Sequence, residues 1–148
     1  MIDHRGAWNT IVDLNDRFAL KASDRVLAIS SLSFDLSVYD IFGTLAAGAT
    51  IVMPDRDGTR DPAHWQKLVR DQAVTIWNSV PALMQLAAEE AREPVLSSLR
   101  LVMLSGDWIP LSLPPQIRIA APDADICSLG GATEASIWSV LYLSLIHI

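Results

Sequence analysis

The sequence predicts an α/β fold in which a parallel β-sheet is layered with helices, and three observations support this prediction. Short apolar runs alternate along the chain with longer amphipathic stretches. The short runs lack the polar alternation of half-exposed strands, as expected for parallel strands that are covered on both faces. Apolar residues make up 51% of the 148 residues, which suffices for a buried core and excludes a disordered chain.

Local signals predict the individual elements. Five apolar runs are predicted as strands, at residues 26–29, 50–53, 74–77, 100–104 and 125–129. Helices are predicted over residues 5–20, 37–47 and 112–120, and from Asp61 and from Pro81 onward. Asp61 suits an N-cap position and Pro62 the first helical position, while Gly48 suits the end of a helix.

Composition and charge exclude several classes of function. Seventeen acids against eleven bases give a net charge of −6, and no basic stripe is present for a nucleic-acid partner. The single Cys127 excludes an internal disulfide and a multi-cysteine zinc site, and the three histidines are isolated in sequence. No apolar run is long enough for a membrane span, and the charged first residues exclude a signal peptide. We therefore expect a cytoplasmic protein with no nucleic-acid and no membrane partner.

The candidate site lies in the segments that follow the predicted strands. In open parallel sheets, ligands bind beyond the carboxyl ends of the strands. The segments at these positions are rich in small polar, acidic and aromatic residues, and they span residues 30–39, 78–81, 105–108 and 130–138. The sequence therefore predicts a binding site along this edge of the sheet.

The segment Gly130-Gly131-Ala132-Thr133-Glu134 has the composition of a phosphate site. Two glycines after a strand let the backbone turn and approach a ligand closely, the Thr133 hydroxyl can donate to a phosphate oxygen, and the Glu134 carboxylate can hold Mg²⁺. An ordinary strand-to-helix turn with Thr133 as a cap explains the same residues equally well. The residues alone leave both interpretations open.

Two further strand-end residues have competing interpretations. Asp35 can pair with a substrate ammonium, but as an isolated residue it is more simply the N-cap of the following helix. A nucleophilic role for Ser105 lacks both the G-x-S-x-G turn and a suitably placed histidine. Glycine patterns of nucleotide-binding loops and dinucleotide folds are also absent from the sequence.

These segments together resemble the adenylation domain of nonribosomal peptide synthetases, within the superfamily of AMP-binding, adenylate-forming ligases. The resemblance covers residues 2–139. It is carried by IDHRGAWNTI at 2–11, SFDLSVYDIFG at 33–43, NSVPALM at 78–84, LSGDWIPL at 104–111 and SLGGATEASIWS at 128–139. The fold it implies is part of the large N-terminal subdomain of such an enzyme.

The resemblance implies an ATP- and Mg²⁺-dependent ligase that joins an amino acid to AMP and then passes it to a phosphopantetheine thiol of a carrier-protein domain. By motif position, Asp35 corresponds to the residue that binds the substrate ammonium, which reverses the preference for a cap. Thr133 and Glu134 correspond to the catalytic phosphate and Mg²⁺ residues. The backbone around the adenine corresponds to Gly106, Gly130, Gly131, Ala132 and Thr133.

The resemblance also implies a set of residues around the substrate side chain. These are Asp35, Leu36, Tyr39, Asn78, Met103, Ser105, Leu129, Ile137 and Trp138. The set is similar to that of cysteine-activating members, and its apolar residues suit a polarisable thiol, with Tyr39, Asn78 and Ser105 as polar points. We therefore expect L-cysteine as the substrate. The alternatives are an acyl-CoA or aryl-acid ligase of the same superfamily, which does not need Asp35, and a non-catalytic binding or scaffold remnant.

The resemblance also sets an expectation for domain organisation. Residues 1–139 are expected to be an internal fragment of an adenylation domain, since the family's phosphate loop and catalytic lysine have no counterpart in this sequence. Such a fragment is expected to be inactive by itself. Residues 140–148 depart from the family's pattern and are expected to be a tail that is foreign to the fold.

Overall fold

A computed structural model describes residues 2–89 and 91–143 and contains one six-stranded sheet. The strands are β1 (Arg25–Leu27), β2 (Thr50–Val52), β3 (Ile76–Ser79), β4 (Leu101–Leu104), β5 (Asp125–Gly130) and β6 (Val140–Leu143). Their order across the sheet is β2-β1-β3-β4-β5-β6. The first five strands pair in parallel, and β6 pairs with β5 in the antiparallel direction. The predicted α/β layering is confirmed.

The helices lie where local signals predicted them. They are α1 (His4–Arg17), α2 (Leu36–Val38), α3 (Thr44–Ala46), α4 (Pro62–Asp71), α5 (Pro81–Ala88) and α6 (Leu113–Ala120). The Asp61 side chain accepts from the Ala63 amide at 3.0 Å, which is the predicted N-cap of α4. In the part of the chain that the structure describes, no helix is long and apolar enough to cross a membrane.

The predicted helix over 37–47 differs from the structure in one respect. Between α2 and α3 lies a π-helical segment, Tyr39–Gly43. A side chain at Gly43 would place its Cβ 2.7 Å from the Tyr39 ring, so glycine lets the wider turn close over that ring. Gly48, with φ of +68°, ends the helical region as predicted. Single π-helical turns occur frequently at functional sites.

Each face of the sheet buries its own hydrophobic cluster. On one face, α4, α5 and α6 pack over side chains such as Trp77 and Val102. On the other face, α1 and α2 pack over Ile76, Leu101 and Met103. Neighbouring strand residues alternate between the clusters, as side chains on a pleated strand must. Fully burying each large apolar side chain contributes roughly 1.5–3 kcal/mol, so this two-sided burial holds the layers together.

The expectation that the fold ends at Ser139 differs from the structure. Val140–Leu143 form β6, which pairs with β5 in a register that sets Val140 opposite Gly130. The segment is apolar and includes Tyr142, and residues 131–139 connect it to β5, so pairing with the preceding strand outweighs its departure from the family's pattern. Residues 144–148 of the expected tail lie outside the described residues. The sheet is therefore mixed at this edge rather than wholly parallel.

An ion pair fixes the amino-terminal side of the sheet. Arg100 Nε and Nη2 donate to the two carboxylate oxygens of Asp24 at 2.8 and 2.7 Å, and Thr75 Oγ1 donates to the same carboxylate. Asp24 is 1% exposed. Burial alone raises the pKa of Asp24, but hydrogen bonds from Arg100, Thr75 and the Lys21 amide outweigh it and hold the pKa below its ordinary value. The pair joins the segments that lead into β1 and β4.

Replacing Arg100 with methionine is expected to lower the free energy of unfolding by about 3 kcal/mol, because it leaves the buried Asp24 carboxylate without its cationic partner. Urea denaturation at pH 7 measures this change. The matched control is Arg17→Met, since Arg17 pairs with Asp13 on an exposed helix face. Equal stability of the two variants would show that the Arg100 pair is not a structural anchor.

Candidate functional site

A pocket of about 320 Å³ opens at the carboxyl edge of the sheet, where the sequence predicted a site. It lies beyond the ends of β4 and β5 and is closed on one side by the segment that enters α2. The residues that line it are Phe34, Asp35, Leu36, Ser105, Gly106, Gly131, Ala132, Thr133, Glu134, Ile137 and Trp138. The fold thus brings three of the four predicted strand-end segments to one place.

All but one of the lining residues belong to the set expected to bind substrate or cofactor, and Phe34 is the exception. The remaining members of that set do not line the pocket. They are Tyr39, Asn78, Met103, Leu129 and Gly130. Of these, Tyr39, Asn78, Met103 and Leu129 are buried beneath it, and Gly130 is a residue of β5.

Asp35 does not cap α2 through its side chain. It occupies the N-cap position, but its carboxylate accepts no capping hydrogen bond from a backbone amide in the described structure. Instead, the Thr133 hydroxyl donates to Asp35 Oδ2 at 2.8 Å. The capping role favoured by the residues alone is therefore wrong. The contact joins the segment before α2 to the loop after β5, which are 98 residues apart in sequence.

The loop between β5 and β6 folds tightly back on Gly131. A Cβ on Gly131 would lie 2.5 Å from the Ile137 carbonyl oxygen and 2.6 Å from Trp138 Cα. Ile137 has φ of +73°, a left-handed conformation that is strained for a β-branched residue. Glycine is thus required at residue 131 because the backbone of Ile137 and Trp138 lies against it. The predicted reason was the close approach of a ligand. Gly130 has no such constraint, since its Cβ would meet only Val140 Cβ at 3.6 Å.

Gly106 turns the chain at the end of β4. Its φ is +81°, which favours glycine, and a Cβ there would lie 3.0 Å from Phe34 Cζ. Phe34 therefore packs directly over Gly106 and forms one wall of the pocket. Sequence reasoning treated Phe34 only as a neighbour of Asp35. An aromatic side chain next to Asp35, in a segment that follows a strand, was the sequence signal that could have indicated a place for Phe34 in the pocket wall.

Strand alternation places four of the predicted residues on one face of the sheet. Met103 and Leu129 belong to the hydrophobic cluster that also contains Leu36 and Trp138. Ser105 follows Met103 by two residues and lies on the same face, where it reaches the pocket. Asn78 is opposite Met103 in the β3–β4 register. These side chains form the floor beneath the pocket.

The Tyr39 hydroxyl does not face the pocket, although Tyr39 was expected to offer a polar group to the substrate side chain. It is fully buried, its ring packs edge-on against Trp138 at 5.3 Å, and its hydroxyl donates to Asn15 Oδ1 at 2.9 Å. Burial raises the pKa of this hydroxyl above its ordinary value. The role of Tyr39 in the structure is to support Trp138, which itself lines the pocket.

Asn78 is held by an acid that sequence reasoning missed. Asn78 Nδ2 donates to Asp40 Oδ1 at 2.7 Å, and both residues are at most 1% exposed. Burial raises the pKa of Asp40 to about 7, although hydrogen bonds with Asn78 and Ser30 act in the opposite direction. The position of Asp40 within the otherwise mostly apolar stretch SVYDIFG was the sequence signal that could have identified it as a buried partner.

Three of the predicted site residues each have a buried polar atom without a partner. Asn78 Oδ1, Ser105 Oγ and Trp138 Nε1 make no hydrogen bond to any part of the chain within 2–89 and 91–143. A buried polar atom without a partner costs roughly 1–3 kcal/mol, so such atoms favour a ligand that donates and accepts hydrogen bonds. The site therefore suits a polar or weakly polar side chain rather than a purely apolar one.

Glu134 is the acid of the pocket that was predicted to hold a metal ion. No group of three His, Cys, Asp or Glu residues that could hold a metal ion occurs among the described residues. Glu134 is exposed at the pocket, in the short 3₁₀ turn Thr133–Ala135. One carboxylate is the kind of site at which Mg²⁺ binds together with phosphate oxygens of a ligand.

Comparisons with known proteins bear on this pocket. A family model described as AMP-binding enzyme matches residues 1–146. Pyochelin synthetase PchF of Pseudomonas aeruginosa is 49% identical over 143 residues, which are 95% of this chain and 8% of that protein. The anguibactin system regulator of Vibrio anguillarum is 49% identical over 145 residues, 96% of this chain and 14% of that protein. The chain thus spans a small part of the length of these relatives.

A solved structure has the same fold at similar identity. The nonribosomal peptide synthetase FmoA3, in a form bound to α-methyl-L-serine-AMP, superimposes with a TM-score of 0.91 and 46% identity. The match covers 97% of this chain and 16% of FmoA3. An AMPPNP-bound form of the same synthetase matches with a TM-score of 0.91 and 47% identity over 96% of this chain and 16% of FmoA3.

Adding one methyl group at Gly131 is expected to disrupt the loop after β5. In Gly131→Ala the new Cβ meets backbone atoms that cannot move aside, so we expect a loss of stability of roughly 1–3 kcal/mol and faster proteolysis within 131–139. Gly130→Ala is the matched control, since its Cβ has room. Thermal unfolding and limited proteolysis measure both effects. Identical behaviour of the two variants would contradict the tight closure of this loop.

The buried Asp40 makes stability depend on pH. Because its native pKa is about 7 and that of an unfolded aspartate about 3.9, the native state alone keeps the proton between these values, and stability falls as pH rises through this range. Asp40→Asn removes the ionisation. We expect the stability of this variant relative to the parent to increase by up to roughly 4 kcal/mol from pH 4 to pH 8.

Denaturant unfolding at several pH values measures this difference. The control is Asp57→Asn, because Asp57 lies in an exposed turn and its replacement removes a charge from the surface. A stability difference between Asp40→Asn and the parent that stays constant with pH would contradict the raised pKa.

Proposed function

Because the chain belongs to the AMP-binding enzyme family, we propose that it is part of a nonribosomal peptide synthetase that activates an amino acid with ATP. A carboxylate oxygen of the amino acid attacks the α-phosphorus of ATP, the bond to the β-phosphate oxygen breaks, and pyrophosphate leaves. The product is an aminoacyl-AMP. The aminoacyl group then passes to the phosphopantetheine thiol of a carrier-protein domain in the same synthetase.

One contact supports this proposal above all, the 2.8 Å hydrogen bond between Thr133 and Asp35. Asp35 has the charge to bind the α-ammonium of the substrate, and Thr133 has a hydroxyl that can donate to a phosphate oxygen. The reaction requires the amino acid and the α-phosphate to lie within bonding reach of each other. Neighbouring subsites at Asp35 and Thr133 meet that requirement.

The residues of the pocket fit ATP and Mg²⁺. Gly106 and the segment Gly131-Ala132 present backbone without bulky side chains, which suits close approach of the flat adenine. Glu134 would hold Mg²⁺, which would neutralise charge on the phosphates. Gly130, expected to bind the nucleotide, is better explained by its place in β5. The chain's own contribution is to orient the two substrates and to exclude water between them.

The amino-acid class is supported by the chemistry of the pocket. The related FmoA3 has a structure with α-methyl-L-serine-AMP bound. The α-ammonium of an amino acid is neutralised by a carboxylate, and Asp35 offers one in the pocket lining. The substrate of an acyl-CoA or aryl-acid ligase has no ammonium for Asp35 to neutralise. A non-catalytic scaffold gives no functional reason for the strained backbone at Ile137. We therefore favour amino-acid activation over both alternatives.

Within this class we propose L-cysteine as the substrate. Leu36, Ile137 and Trp138 form the apolar part of the pocket lining and belong to the same hydrophobic cluster as Met103 and Leu129. The unpartnered Ser105 Oγ and Asn78 Oδ1 supply polar points for a small side chain with a weak donor. A thiol satisfies both conditions, because it is polarisable and its S–H donates a weak hydrogen bond. One atom contributes only about 1–3 kcal/mol of discrimination, so some activation of serine is expected.

ATP–pyrophosphate exchange in the full-length protein tests the proposal. We expect exchange to depend on the amino acid and to be fastest with L-cysteine among the twenty. Asp35→Ala is expected to lower kcat/KM at least tenfold, because the substrate ammonium then lies in the pocket without its partner, at a cost of roughly 2–5 kcal/mol. Asp57→Ala is the matched control, because Asp57 is an exposed acid that does not line the pocket.

Three outcomes would contradict parts of this proposal. Exchange with acids that lack an α-amino group, and with no amino acid, would favour an acyl or aryl ligase. Absence of exchange with every substrate would favour a scaffold. Fastest exchange with a large aromatic or a charged amino acid would retain the reaction but overturn the choice of L-cysteine.

A further inference from the structure

We propose that Asp40 is a positioning residue that fixes the side-chain amide of Asn78 so that its oxygen faces the substrate side chain. This inference rests on the proposed function, because it concerns how the pocket selects an amino acid. It adds to that function a residue outside the pocket lining. It also assigns a class of side chain, one that donates a hydrogen bond.

The orientation of the amide follows from the chemistry of its partner. Above its pKa of about 7, Asp40 is ionised and its carboxylate accepts hydrogen bonds and donates none, so only the nitrogen of an amide can face it. Asn78 Nδ2 lies 2.7 Å from Asp40 Oδ1, and both side chains are buried. Asp40 belongs to the π-helical segment Tyr39–Gly43, whose wider turn faces β3 at this point. The amide is thereby held in one orientation.

The second N–H of the same amide also has an acceptor in the protein. Asn78 Nδ2 contacts the Leu36 backbone carbonyl at 3.4 Å. Both donor positions are therefore directed at protein acceptors, and Oδ1 is the atom that remains. It is buried and has no hydrogen-bond partner among residues 2–89 and 91–143.

The place of Asn78 connects this oxygen to the substrate. Its contact Leu36 lines the pocket, and its cross-strand neighbour Met103 packs in the cluster beneath the pocket. Ser105, on the adjacent strand end, lines the pocket on the same face. A small side chain that reaches the floor between Leu36 and Ser105 lies next to Asn78. An oxygen acceptor there favours a thiol or hydroxyl over a methyl group of the same size.

A purely structural role for Asp40 predicts something different. If Asp40 only stabilised the fold, its replacement would affect all amino acids to the same degree. If it orients Asn78, replacement by asparagine removes the orientation, because an amide at residue 40 can both donate and accept. Asn78 can then turn its nitrogen to the substrate. Selection between donor and non-donor side chains is the readout that separates the two roles.

The experiment compares L-cysteine with L-2-aminobutyrate, in which a methyl group replaces the thiol. The ratio of their kcat/KM values in ATP–pyrophosphate exchange is measured for the full-length protein and for Asp40→Asn, at a pH well above the Asp40 pKa of about 7, so that the parent carries an ionised Asp40. We expect the variant to lower this ratio about fivefold, through a loss with L-cysteine and little change with L-2-aminobutyrate. Asp57→Asn, which removes an exposed acid, is expected to leave the ratio unchanged.

A double-mutant cycle shows whether Asp40 acts through Asn78. Asn78→Ala alone is expected to lower the ratio to the same level, and adding Asp40→Asn to it is expected to cause no further fall. Asp40→Ala, which leaves the amide free to turn, must lower the ratio in the same direction. It provides a second test that does not depend on an amide at residue 40.

The inference is overturned if Asp40→Asn leaves the ratio unchanged, if it lowers both kcat/KM values equally, or if it changes the ratio as much in the Asn78→Ala background. These results presuppose that the unmodified protein exchanges pyrophosphate with an amino acid. Failure of the unmodified protein to do so with all twenty would instead overturn the proposed function, and the inference with it. The two failures are thus told apart by the parent protein alone.

Discussion

The tight closure of the loop between β5 and β6 is the constraint on which the pocket depends. Gly131 lies so close to the Ile137 carbonyl oxygen and Trp138 Cα that no side chain fits there. The Ser139 amide bonds back to the Gly130 carbonyl at 2.9 Å, where the hairpin with β6 begins. The loop thereby carries the residues on the phosphate side, Thr133 and Glu134, and those on the side-chain side, Ile137 and Trp138. A strained conformation at Ile137 is maintained because the paired strands leave the chain no other path.

The second requirement is a sheet face that combines apolar packing with a few polar atoms. Most of the face beneath the pocket is an ordinary hydrophobic core, with Met103 and Leu129 among its members. Asn78 is fully buried on the same face, and its oxygen makes no hydrogen bond to the rest of the described chain. Buried polar groups of this kind cost stability unless a partner is supplied. A substrate side chain is one such partner, which links the stability of the floor to the selectivity of the pocket.

Local signals in the sequence were enough to predict the layers and the edge that carries the pocket. Apolar runs and the cap at Asp61 depend on near neighbours in sequence, and the structure follows them closely. The expected strand over 74–77 lies instead at Ile76–Ser79, so Asn78 lies within β3 and not after it. The position of Asn78 on the sheet face could be predicted from the family's motif but not from periodicity alone.

The predictions that differ from the structure concern residues whose positions depend on contacts with segments distant in sequence. The Tyr39 hydroxyl bonds to Asn15 of α1 and does not reach the pocket. The residues next to Tyr39 in sequence give no indication of that partner. Asp35 bonds to Thr133 across 98 residues, so its apparent capping position was misleading. Val140–Leu143 departs from the family's pattern yet completes a hairpin, since strand pairing tolerates many apolar sequences. The partner of Asn78 was missed because Asp40 lies in a stretch that otherwise resembles a helix of the core.

The proposed function requires that the strand-end pocket binds an amino acid with its ammonium at Asp35 and its side chain over the sheet face. The most direct test is a crystal structure of the full-length protein with a non-hydrolysable sulfamoyl analogue of cysteinyl-AMP. We expect the ligand ammonium to lie within about 3 Å of an Asp35 carboxylate oxygen, with the thiol between Leu36 and Ser105. A ligand bound elsewhere, or bound here with its ammonium turned away from Asp35, would contradict the account.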